Sequence, residues 1–332
     1  MTGPLLQIKD LSTHFVSARG TRVTRAVDDV SFTLEAGRTL GIVGESGSGK
    51  TTLALTLMRL LPPAARIAGG SVRFGGEELL TKPEAEMRAL RGKRLAMILQ
   101  DPMASLNPLF TVGDQIAETL RAHEATPRRA AWTRAGELLA AVNIAAPLRR
   151  VGEYPHQLSG GMRQRVVGAI AISCGPQLLI ADEPTTSLDV TIQAQYLKLL
   201  GDIQRERGLA LIFITHNLGI VARMCDQVAV MYAGRLVEAG PVRSIFNEPA
   251  HPYTRALIES IPKFGDAAER LTAIEGQPPD PAALPPGCAF HPRCPYVIDR
   301  CRAEAPPESQ LASQHRTRCW VAAPAAVGAA RG

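Results

Sequence analysis

Long apolar runs are missing from this 332-residue chain. No stretch reaches the roughly 18–20 consecutive apolar residues that a bilayer-spanning helix needs. The start, MTGPLLQIKD, has no cationic lead, no extended apolar segment and no small-residue cleavage site. Neither a secretory leader nor an anchor is expected there, and a cytosolic chain is. Aromatic residues are scarce at 5%, and no basic run is interleaved with them. A nucleic-acid role therefore has no support in the sequence, and the net charge of +6 reads as a mildly basic, solvated surface. Cysteine is nearly absent before the tail. Only Cys174 and Cys225 precede it, in apolar helical surroundings that suit core thiols. Hydrophobic residues make up 45% of the chain, enough for one large domain or two modest ones.

What is present centres on GESGSGKT, residues 44–51, which follows the apolar run Leu40–Val43 and leads into an apolar helix. A buried strand, a glycine turn and a helix form the context a phosphate loop requires. Gly44, Gly47 and Gly49 allow a tight turn in which the amides of Glu45, Ser46 and Ser48 converge on phosphate oxygens. Lys50 is placed to reach the β- and γ-phosphates, the Thr51 hydroxyl to ligate Mg²⁺, and Thr52 to continue the loop into the helix.

Around this loop, Leu5–Ile8, Ala26–Val30, Ser31–Leu34 and Ala68–Phe74 read as short antiparallel strands. Phe15, near the end of the first strand, suits either stacking on a base or an ordinary core position. The compact run 94–100 reads as a strand ending in Gln100, followed by the Pro- and Asn-rich loop DPMASLNPLF. Residues 111–146 turn helical. LSGGMRQRVVGAI then opens a helix capped by Ser159, and its Ser-Gly-Gly entry exposes backbone N–H groups to an anion. LLIADEP lacks alternation and reads as a strand buried on both faces, with Asp182 and Glu183 emerging at its carboxyl end. Two acids there are costly unless they serve a metal or a reaction. A further strand, Leu209–Thr215, ends at His216, and the pair Gln227–Tyr232 and Arg235–Glu238 is the last clear piece of the core.

The phosphate loop, Gln100, LSGGM, LLIADEP, SLD and His216 occur in the order and spacing of an ABC-transporter nucleotide-binding subunit, and the chain resembles that family over about residues 5–240. The resemblance implies an α/β P-loop NTPase cassette with a parallel-sheet core, an antiparallel β subdomain and an inserted helical subdomain. It implies a cassette over residues 1–240, with about 102–175 as the helical and signature part, and an extension over 241–332. ATP would lie on Phe15, the loop 44–52 and Gln100, with Mg²⁺ held by Thr51, Gln100 and Asp182. Glu183 would polarise the attacking water and His216 would sense the γ-phosphate. Ser159, Gly160, Gly161 and Met162 would complete the ATP site of a partner cassette, with Ser187, Leu188 and Asp189 as the turn beside it. Asn217 departs from the commoner His-Asp pair, which puts contacts across the dimer in question.

MRQR after the signature, QDPMASLNP, MYAGRLVEAGP and EPAHPYTRALIESIP resemble one of the two ATPase subunits of dipeptide, oligopeptide and nickel importers. Such a subunit works at the cytoplasmic face of the membrane. It pairs with a second, similar ATPase beneath two transmembrane permease subunits, fed by an extracytoplasmic substrate-binding protein. Residues 104–110 would pass the motion on. A nickel or other small-solute importer is the alternative within the family. A soluble ABC ATPase acting on ribosomes or DNA would carry fused cassettes or a long coiled-coil insertion, neither of which is visible. A non-enzymatic scaffold would not need Glu183 and His216.

The proline-rich tail places Cys288, Cys294, Cys301 and Cys319 as C-x5-C-x6-C-x17-C. In a cytosolic protein this reads as a metal site organising a segment with little core of its own. Spacing alone leaves structural zinc and a [4Fe–4S] cluster equally open. GCAFHPRC resembles the C-terminal extension of the peptide importers, whose cysteines bind an iron–sulfur cluster, and this implies iron. His291 and His315 are expected in loops, and the alanine-rich end after Trp320 is expected to be disordered.

Overall fold

A computed structural model describes residues 3–18, 20–261 and 274–322. The expectation for the alanine-rich end lies, from residue 323 onward, outside them. The described residues fall into two compact units, one within 6–33, 39–77 and 214–332 and the other within 1–5, 34–38 and 78–213.

In the first unit, Leu6–Val16 lies between Val23–Leu34 and Ala65–Phe74, with the two-residue strand Glu77–Glu78 at the edge. Leu6 faces Phe74 and Ile8 faces Val72 in an antiparallel register. All four side chains are buried, the period-2 face that the sequence alternation demands. The two strands expected at 26–30 and 31–34 form one. Val27 and Val30, three apart, are both buried because Asp29 takes a left-handed conformation (φ 55°) and shifts the phase.

A second sheet of this unit runs Ser309–Ala312, His315–Thr317, Arg235–Pro241, Gln227–Tyr232, Thr39–Val43. Thr39–Val43 pairs parallel to Gln227–Tyr232, and the others pair antiparallel. The two tail strands extend the sheet beyond what the sequence announces. Their residues, SQLA and HRT, carry little strand propensity and pair because an edge is open to them. His315, expected in a loop, therefore stands in a strand, buried, with Nε2 2.8 Å from the Glu238 carboxylate. The extension is also less poor in core than its composition implies. Phe290 is 1% exposed and packs with Tyr232 and Tyr253, while Ile274, Leu284, Cys288 and Ala289 lie against the same cluster.

In the other unit Leu178–Asp182 lies between Leu95–Ile98 and Ala210–Ile214, whose first four residues belong to the unit. Leu95 faces Leu178 and Ile98 faces Ala181 in parallel, and every residue of Leu178–Asp182 is buried, as its unbroken apolar run requires. The first strand stops at Ile98, leaving Leu99 and Gln100 exposed. The helical stretch resolves into Val112–His123 and Arg128–Ala141, separated at Pro127. The helix Gly160–Ile172 packs on Val190–Arg207 where glycines permit close approach. A Cβ at Gly161 would lie 2.7 Å from the Ile192 side chain, and one at Gly168 3.1 Å from the Tyr196 hydroxyl. Among the described residues no helix is long and apolar enough to cross a membrane.

Candidate active site

The phosphate loop belongs to the first unit. A Cβ at Gly44 would lie 2.1 Å from the Met231 carbonyl oxygen, and one at Gly49 2.0 Å from that of Ala26. Only glycine lets the backbone pass so close. At Gly47 the added atom would meet nothing within 4 Å, and there the positive φ of 79° is the constraint. The helix Lys50–Met58 has no side-chain cap and no acid in its first turn, a helix end whose amides and dipole favour an anion. Lys50 is 6% exposed, and its Nζ donates to the carbonyls of Gly44 and Glu45 (2.8 Å each). Ser46, Gly47 and Thr51 are exposed and Thr52 half-buried, while Ser48 is buried under Lys50. Phe15 is half-buried at the strand end, opposite Ala65.

His216 is exposed just beyond the strand ending at Ile214, in the turn where the Thr215 N–H donates to the Ile42 carbonyl (3.2 Å). Asn217 caps the helix Leu218–Met224, its Oδ1 accepting from the Ile220 N–H at 3.3 Å. That is a task an aspartate performs equally well, so the departure from His-Asp has a local account.

Sequence reasoning did not single out Tyr253 and Arg293, the two residues that hold Glu45. Its N–H donates to the Tyr253 hydroxyl (2.9 Å), and its carboxylate receives both arms of Arg293, at 2.8 and 3.0 Å. Arg293 also donates to the Tyr232 hydroxyl at 3.3 Å. The signal lay in HPYTRALIESIP and GCAFHPRC, which mark the segments without saying what they touch.

In the other unit, Asp182 is 1% exposed at the end of its strand, and Glu183 follows with φ 44°. Glu183 Oε2 accepts from Gln100 Nε2 and from Thr186 Oγ1, each at 3.0 Å. Gln100 and Glu183 are thus brought together, with Thr186 an added partner. In the following turn Ser187 is exposed, Leu188 donates its N–H to the Thr185 carbonyl (3.1 Å), and Asp189 caps Val190–Arg207 through the Ile192 N–H at 3.0 Å. Ser159 caps the signature helix, its Oγ accepting from the Met162 N–H at 3.4 Å. Gly160 is exposed, with nothing within 4 Å of an added Cβ, and Met162 is half-buried. Arg163, not foreseen, donates to the Pro155 carbonyl (2.8 Å) and to the Met103 sulfur (2.9 Å), tying this helix to the loop after Gln100.

The four tail cysteines lie within electrostatic reach of one another. Burial pushes the Cys288 thiol up to about 11, with Cys301, Cys319 and Cys294 adding to the shift, and burial likewise raises Cys294 and Cys319. The Cys288 N–H donates to the Cys301 carbonyl at 2.8 Å, and a Cβ at Gly287 would lie 2.3 Å from that oxygen. Among the described residues no three His, Cys, Asp or Glu side chains are drawn together as ligands of one ion. Cys225, expected as a core thiol, is half-buried and packs against the core cluster, and burial pushes it up to about 12.

A putative peptide import ATP-binding protein of Brucella melitensis is 48% identical over 328 residues, covering 95% of this chain and 96% of that protein. The chain belongs to the ATP-binding proteins of the ABC transporter family. Residues 27–186 of this cassette match the ABC transporter model, and residues 237–301 match the oligopeptide/dipeptide transporter C-terminal region. The oligopeptide transport ATP-binding protein OppD of Haemophilus influenzae is 46% identical to it over 320 residues, 96% of this chain and 98% of that one. In fold the cassette is similar to a dimeric ATP-binding cassette in a post-hydrolysis state with ADP and Pi (TM-score 0.64, 23% identity, 72% of this chain and 99% of that chain). It also resembles a cassette of the cbiONQ ABC transporter complex of Clostridium perfringens (TM-score 0.61, 26% identity, 74% and 91% covered).

Proposed function

We propose that this chain is the ATP-hydrolysing subunit of a peptide importer, working at the cytoplasmic face of the membrane beside a second, similar ATPase and beneath two permease subunits. The near-full-length likeness to peptide-import ATP-binding proteins carries the reading, because it includes the C-terminal region as well as the cassette. A substrate-binding protein outside the membrane would deliver the cargo.

The loop 44–52 binds the phosphates, with Lys50 countering their charge and Phe15 beside the base. Glu183, aimed by Gln100 and Thr186, orients the attacking water, and His216 contacts the γ-phosphate. Thr51, Gln100 and Asp182 supply the hydroxyl, amide and carboxylate oxygens that suit Mg²⁺, which when bound neutralises charge on the β- and γ-oxygens. Ser159, Gly160, Gly161 and Met162 serve the partner's nucleotide, with Ser187, Leu188 and Asp189 alongside. The Arg163–Met103 contact supports a route from the signature helix to exposed Leu109 and Phe110, where a permease would dock.

Cys288, Cys294, Cys301 and Cys319 would hold one [4Fe–4S] cluster with a structural role. Four free thiols carried by one extension make a donor set that suits such a group, with zinc as the rival metal. When bound, the cluster cross-links loops that the Gly287–Cys301 approach already brings together.

The test is reconstitution with the co-purifying permeases in proteoliposomes. ATP-driven uptake of labelled peptides is expected. Uptake of nickel or another solute with peptides inert would overturn the peptide assignment.

A further inference from the structure

Position 45 of the phosphate loop is a glutamate, and its carboxylate stands in a segment that must accept a polyanion. At an effective dielectric near a protein surface, one uncompensated negative charge a few ångströms from a phosphate opposes binding strongly. The structure shows how that charge is answered. Arg293 meets the Glu45 carboxylate with both arms of its guanidinium, 2.8 and 3.0 Å, in the bidentate form that is strongest for this pair. The Arg293 side chain is 4% exposed and that of Glu45 27%. Water screens such a pair little on the arginine side.

Arg293 is itself held in place. Its Nε donates to the Glu275 carbonyl (2.9 Å), one arm reaches the Ile274 carbonyl (3.3 Å), and the other the Tyr232 hydroxyl (3.3 Å). Its guanidinium carbon lies 5.8 Å from the ring centres of both Tyr232 and Phe290. The remaining polar groups of residue 45 are fixed as well, the N–H by Tyr253 and the carbonyl by Lys50. Released from Arg293, the carboxylate would be free to compete with phosphate for the Lys50 ammonium.

We propose that Arg293, carried by the cysteine-rich extension, is a positioning residue for ATP: it neutralises and restrains Glu45, so the phosphate loop becomes electrostatically complete only with the extension docked. The inference rests on the reading of residues 44–52 as an ATP site, but not on which metal the cysteines hold.

Binding of labelled MgATP to the full chain within the assembled complex tests this, with steady-state turnover measured alongside. Arg293→Ala is expected to weaken ATP binding about tenfold near 50 mM salt, and the loss should shrink as salt rises towards about 500 mM. KM for ATP should rise more than kcat falls. Adding Glu45→Gln to Arg293→Ala should restore most of the affinity, because the charge needing compensation has gone. Arg293→Lys keeps the charge but loses the fork, so it should fall between, and it substitutes if the alanine variant does not fold. Wild-type affinity in Arg293→Ala would overturn the proposal. So would a salt-independent loss that Glu45→Gln does not rescue, because Arg293 would then be a structural staple. Failure of the wild-type complex to bind ATP would instead overturn the ATP-site reading itself.

Discussion

Glu183 holds a backbone conformation that costs a non-glycine residue about 1–3 kcal/mol, and active sites are where such strain persists. Here the strain aims a carboxylate that Gln100 and Thr186 then hold. Glu183→Gln keeps the shape and removes the charge. Turnover should fall about 10²–10⁴-fold while ATP is still bound, measured as steady-state hydrolysis and nucleotide retention in the assembled complex. Undiminished turnover would remove Glu183 from its role. His251 makes a pH prediction. Burial lowers its pKa to about 3, and its Nδ1 accepts from the Tyr253 N–H at 3.0 Å, a bond that needs the neutral ring. The unfolded chain takes up a proton near pH 6.5 and the native state does not. Stability is therefore complete above pH 6.5 and declines as pH falls towards 3, by up to about 1.4 kcal/mol per unit from this group. Urea midpoints at several pH values should show a steeper acid-side decline in the wild type than in His251→Asn, which keeps an acceptor for the Tyr253 N–H. Residues of this kind differed in legibility. Lys50, Asp182 and Glu183 announce themselves because their chemistry is local to a motif, whereas Arg293, Tyr253 and Thr186 matter through partners the sequence does not name.

Elements followed the sequence where periodicity and caps agreed. The run Leu178–Asp182 and the capped helix at Ser159 were readable because burial and capping act over a few residues. The strands Ser309–Ala312 and His315–Thr317 were not, because their pairing is imposed by the edge of Arg235–Pro241 rather than by their own propensities. The extension likewise reads as coreless until Phe290 is seen against Tyr232 and Tyr253. That docking sharpens the cysteine prediction. Anaerobically purified protein should be brown, absorbing near roughly 400 nm, with iron and sulfide in cluster stoichiometry. Any single Cys→Ser change at 288, 294, 301 or 319 should bleach the colour and open the segment 276–320 to protease. Phe290 should still retain part of the docking. Colourless protein with stoichiometric zinc would replace the cluster by a zinc site, and metal-free, protease-resistant protein would remove both.

For the molecule as a whole, one chain carries one phosphate loop and one signature helix, whose entry at Gly160 is exposed. If the two work on different nucleotides, Ser159→Arg should leave ATP binding to this chain's own loop within about twofold while hydrolysis at the partner's loop falls at least tenfold. Labelling the two subunits separately in the complex distinguishes these. An equal loss of binding at this chain's own loop would sink the composite arrangement. The order of the sheet also bears on how the protein is made. His315–Thr317 covers the edge of Arg235–Pro241, and Arg318 pairs with Asp29 at 2.7 Å. During synthesis the edge of Arg235–Pro241 must therefore stay bare until residues 315–317 have been made. A ribosome stalled before residue 309 would display an unpaired strand, a natural substrate for chaperones and a seed for aggregation.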